Sequence, residues 1–124
     1  MTSPSPDQHS YLDGWRARAE AAAARDAAWR LAVRQRLRLA VDALAAMGAS
    51  RVVLFGSLVC DEAGPGSDVD LWVEGLAESL WLDAVVVVSR VLGDIDADVV
   101  RSESASESLR NRVVREGLVL LEPR

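Results

Sequence analysis

The chain has 124 residues, half of them apolar and 27% charged, with a formal net charge of -5. That is the size and mix of one soluble globular domain, too short for a second core. The single cysteine, Cys60, excludes an internal disulfide, and no apolar run reaches the length of a membrane span or of a secretory leader, so a cytoplasmic protein with no membrane partner is expected. The charge is unevenly spread: residues 1–50 hold seven arginines and five acids, residues 51–124 seven arginines and fourteen acids. An acidic C-terminal part argues against stable binding of long nucleic acid, which needs cations clustered on phosphates. It suits a cation site.

Residues 1–10 are polar, and residues 1–12 are expected to be disordered. From Asp13 to Met47 the chain is rich in Ala, Arg and Leu and has no proline, which predicts helix. Leu37, Ala40, Val41, Leu44 and Met47 form its apolar stripe and Gly48 ends it. The half around Trp15 and Trp29 either continues this helix or forms a separate one, and the long Ala-rich helix as a whole offers a docking or dimer face. Arg30, Arg34 and Arg38 recur every four residues and read as a solvated row.

Arg51 to Phe55 and Asp68 to Val73 read as strands, joined by a loop that must turn at Gly64-Pro65-Gly66. Leu80 to Leu92 carries four consecutive valines, yet its length and the stop at Gly93 favour helix. Ile95 to Val100 is a third strand. Ser104 to Glu107 has the spacing of a capping box, opening a helix that runs to Glu116, and Leu118 to Leu121 is a last strand. Strands alternating with helices predict a single α+β (α/β layered) domain over residues 13–124, with a helical lead-in at 13–47 and a core at 48–124 built on a small mixed sheet with helices against it.

Residues two apart in a strand share a face, so Asp68 and Asp70 project together while Val69, Leu71 and Val73 face the other way. Two carboxylates side by side repel unless a cation sits between them, and oxygen-only ligands favour a hard ion such as Mg²⁺. A lone D-x-D is more often two surface acids. Here Gly56-Ser57 closes the preceding strand ten residues before Asp68, where a glycine lets backbone approach a phosphate and exposed amides attract anions. Metal ligands beside a phosphate cradle are what phosphoryl or nucleotidyl transfer requires.

The pattern Gly56-Ser57, ten residues, Asp68-x-Asp70 resembles the signature of the DNA polymerase β-type nucleotidyltransferase fold, and within it the minimal nucleotidyltransferase (MNT) family. Arg51-Val52-Val53-Leu54-Phe55 before it, Val73-Glu74-Gly75-Leu76 after it, and the tail Leu109-Arg110-x-Arg112-Val113-x-x-Glu116-Gly117-x-x-Leu120 resemble that family too. The resemblance implies a nucleotidyltransferase fold in which Asp68, Asp70 and a third carboxylate, Asp98, hold two Mg²⁺ ions and act on the acceptor hydroxyl, while Gly56, Ser57 and Ser67 meet the nucleotide. Asp94 and Asp96 are rivals of Asp98, with solvated acids as their ordinary reading.

It further implies transfer of a nucleoside monophosphate, AMP from ATP, to a hydroxyl on a HEPN-family toxin, the chain acting as its antitoxin. The chain has no closely spaced Arg and His of the kind a HEPN active site uses, since its only histidine is His9. Family members often carry arginine where Cys60 stands and glycine where Asp61 stands, so the same resemblance leaves a second reading: a catalytically weakened binding module that neutralises its partner by stoichiometric contact. Cys60 reads as a small core residue and not as a nucleophile. The N-terminal helix also allows a homo-oligomer.

Overall fold

The computed structural model describes residues 6–56, 59 and 64–123. Helix α1 (Pro6–Ala46) leads into strand β1 (Arg51–Phe55) and, after the loop, strand β2 (Val69–Glu74). A 3₁₀ turn at Glu78–Leu80 opens helix α2 (Trp81–Leu92), followed by β3 (Ala97–Arg101), a 3₁₀ turn at Ser102–Ser104, helix α3 (Glu107–Glu116) and β4 (Leu118–Leu121). This is a nucleotidyltransferase fold with a long N-terminal helix. The sheet order is β3-β2-β1-β4, with β1 antiparallel to both neighbours and β2 parallel to β3.

Two cores sandwich the sheet. On one face Val52, Leu54, Val69, Leu71 and Val73 pack against α1 through Val33, Leu37 and Leu44, and against α2 through Ala84, Val88 and Leu92. On the other face Val53, Phe55 and Trp72 pack under Val113 of α3. Central strands covered on both faces become near-continuous apolar runs; the four valines of α2 resemble such a run in composition, yet Val88 alone of them is fully buried, on the helix's inner side.

Several elements shift from their expected bounds. Helix α1 begins at Pro6, inside the stretch expected to be disordered, and proline is compatible with a first helical turn because its missing N–H has no partner there to lose. No break separates the halves around Trp15 and Trp29. The third strand starts at Ala97 and not at Ile95. The cap of α3 is Ser106, whose hydroxyl accepts from the Leu109 N–H at 3.2 Å. Ser104, the expected cap, belongs to the 3₁₀ turn, where its hydroxyl accepts from Arg101 Nη1 at 3.2 Å.

Candidate active site

The acids gather at one end of the sheet. In the parallel β2–β3 pair, Asp70 stands opposite Asp98, and in the antiparallel β1–β2 pair it stands opposite Phe55, the last residue of β1. Phe55 and Trp72 belong to the α3-side core, so strand parity puts Asp70 and Asp98 on that side, while Val69, Leu71 and Val99 face α1 and α2. Asp68 lies just before β2 and is exposed, as is Asp98; Asp70 is half-buried. The distant end of the same strand pair carries a conventional surface ion pair, Arg51 Nε to Glu74 Oε2 at 3.4 Å.

Gly56 follows β1 with φ +87°, in the left-handed region, and a β-carbon there would collide with Asp70 Oδ2. Only glycine meets both demands. The chain therefore turns with its backbone directly against the half-buried carboxylate. Ser57, Cys60 and Asp61 lie outside the described residues. Ser67 closes the turn after them: its hydroxyl oxygen accepts from the Gly64 N–H at 3.2 Å and its own N–H donates to the Gly64 carbonyl at 3.0 Å, leaving the hydroxyl proton free to be donated.

Burial pushes the Asp70 carboxyl above its ordinary range, and the charges of Asp98 and then Asp68 push it further, with Arg112 on α3 pulling the other way. Asp94 and Asp96 contribute nothing comparable. They line a depression of about 210 Å³ that adjoins the site through Ser67, with Trp29, Pro65, Gly66 and Ile95. Of the three candidate acids it is Asp98 that stands opposite Asp70 and whose charge bears on it.

The donor set fits a hard divalent cation: every ligand is a carboxylate oxygen, and Asp70 is destabilised by negative charge that a cation would relieve. Among the described residues, no three His, Cys, Asp or Glu side chains are drawn together as a metal-binding group. Carboxylates that repel have reason to stay apart until a cation joins them.

Sequence reasoning gave no role to two arginines of α3. Arg110 lies 5.1 Å from the Trp72 ring centre and donates through Nη2 to the Ser102 carbonyl at 2.8 Å, so it anchors α3 to the sheet. Arg112 pairs with exposed Glu116 at 3.3 Å and is the cation whose field reaches Asp70. The tail motif contained both, but nothing local told them apart. Among the described residues no helix is long and apolar enough to cross a membrane.

Comparison with known proteins bears on the fold and the family. No curated protein matches the chain. Among solved structures, a minimal nucleotidyltransferase is 28% identical, with TM-score 0.64, over 72% of this chain and 93% of that one. A toxin–antitoxin complex with AMP-PNP is 24% identical, with TM-score 0.62, over 72% and 74%. A tri-AMPylated HEPN toxin in complex with MNT antitoxin, from Shewanella oneidensis, is 24% identical, with TM-score 0.50, over 68% and 71%. Residues 47–124, well over half of the chain, match "Polymerase beta, Nucleotidyltransferase", and it is to this family that the protein belongs.

Proposed function

We propose that the protein transfers AMP from ATP to a hydroxyl group of a HEPN-family toxin and thereby acts as its antitoxin. The observation that carries this reading is the Asp70–Asp98 register with Gly56 against Asp70, which unites acids and cradle at one sheet end. Asp68, Asp70 and Asp98 would hold Mg²⁺, which when bound supplies charge neutralisation for the triphosphate. The Gly56 turn, with Ser57 and Ser67, would receive the phosphates. The acceptor oxygen forms the new bond to the α-phosphorus, the bond to pyrophosphate breaks, and the hydroxyl proton passes to Asp98 or to solvent. The AMPylated toxin in a related complex supports a protein hydroxyl as acceptor.

The test is to incubate the chain, Mg²⁺ and ATP labelled at the α-phosphate with a purified HEPN-family toxin. Label should appear on the toxin and vanish with Asp70→Asn. Toxin that is neutralised without label would overturn transfer in favour of stoichiometric binding.

A further inference from the structure

Helix α1 is both a wall of the core and an arm that leaves it. At about 100° per residue, Trp15, Ala19 and Ala22 fall on the same face as Val33 and Leu37, with Tyr11 and Leu12 flanking them. The face that buries Val33 and Leu37 in the domain therefore continues beyond it. Among the described residues the arm leaves the body near Asp26, whose Oδ1 is 2.9 Å from the β-carbon position of Gly64. Of residues 11–25 only Gly14 is even half-buried, while Tyr11, Leu12 and Trp15 are 68%, 56% and 61% exposed. The arm also lies outside residues 47–124, which carry the family match.

We propose that the arm pairs antiparallel with the arm of a second copy of this chain. The stripe is bulky toward its N-terminal end and lined with Ala19, Ala22 and Ala23 toward the body, so reversing one copy lays large side chains on small ones. Trp15 then seats over the partner's Ala19 and Ala22, and Leu12 beside the partner's Ala23. A parallel pair would instead stack Trp15 on the partner's Trp15 and leave the alanines facing one another across a gap.

Charge selects the same register. Arg16 and Glu20 share one flank of the stripe, and the antiparallel pairing sets Arg16 against the partner's Glu20 twice, by symmetry. On the other flank Arg25 meets the ring of the partner's Tyr11. Arg18, which would otherwise face its own copy, leans back over Gly14, its Nη1 3.5 Å from the β-carbon position there. With aromatic side chains able to bury roughly 150–250 Å² each, Tyr11 and Trp15 of the two arms bring the buried area to roughly 1,000 Å² at most, the lower edge of specific interfaces. The dimer is thus concentration-dependent.

Sedimentation equilibrium of the full chain, from low to high micromolar concentration, tests this. The natural chain should pass from monomer to dimer, and Arg16→Glu or Glu20→Arg alone should weaken association roughly tenfold to hundredfold. An equimolar mixture of those two single variants should dimerise again, because each then offers the other the opposite charge. Both positions lie off the core, so circular dichroism should show unchanged helix content and melting. A natural chain that stays monomeric, single variants that dimerise like it, or a mixture no better than its components would overturn the proposal.

Discussion

Gly56 lies so close against Asp70 that a β-carbon on the glycine would occupy the place of the carboxylate oxygen. Two constraints coincide there, the positive φ and the missing space. Gly56→Ala should cost about 1–2 kcal/mol in backbone strain and should also displace Asp70. In an Asp70→Ala background the same change should cost less, since only the strain remains. Denaturant melts of the four variants measure this, and equal costs in both backgrounds would show that the contact is not felt.

The raised pKa of Asp70 has a definite pH signature. The folded chain holds this proton more tightly than the unfolded chain does, so the group favours folding in acid and loses that contribution as pH climbs from the ordinary value of 3.8 through the raised one. Asp70→Asn should therefore melt a few degrees higher than the natural chain at neutral pH, with the two converging below pH 3.8. Thermal melts across pH check the trend. A difference that grows in acid would reverse the sign of the argument.

Arg112 should influence metal and nucleotide in opposite directions. Its positive field opposes a divalent cation at the carboxylates and favours a triphosphate beside them. Arg112→Gln should tighten Mn²⁺ binding a few-fold without nucleotide and loosen Mg²⁺-ATP binding by a similar factor, both effects shrinking with salt. Calorimetric titrations separate the two. A purely structural arginine would shift both the same way.

Trp81 guards the open edge of β3. Its indole Nε1 donates to the Val99 carbonyl at 3.1 Å, occupying an acceptor that a further strand would use. Trp81→Phe should cost about 1 kcal/mol and raise self-association measured by light scattering. Unchanged scattering with the expected loss of stability would confine the indole to a structural role.

Much of the site is legible in the sequence because it depends on local rules. The alternation of Val69, Leu71 and Val73 with Asp70 and Trp72 assigns faces to β2 without knowledge of its neighbours, and the two cores follow it. That Asp98, and not Asp94 or Asp96, stands opposite Asp70 follows from the register of β3 against β2, which is tertiary. The cap of α3 is misread for a similar reason: Arg101 reaches Ser104 and holds it in a 3₁₀ turn, so the helix waits for Ser106. Arg112 is invisible as a partner of Asp70 until α3 is laid across the sheet through Val113.

The 41 residues of α1 run from Pro6 to Ala46 without interruption, about 60 Å of helix. An arm joined to its body by a soft tether would let the domain tumble under any grip, whereas here the gripped end and the wall of the core are one rod. Two copies held by their arms would stand like the jaws of a caliper, their acid ends kept at one spacing and one bearing. A toxin hydroxyl would then reach each jaw from a fixed direction, and a single proline set into the middle of the rod would loosen that aim while leaving the chemistry of each jaw intact.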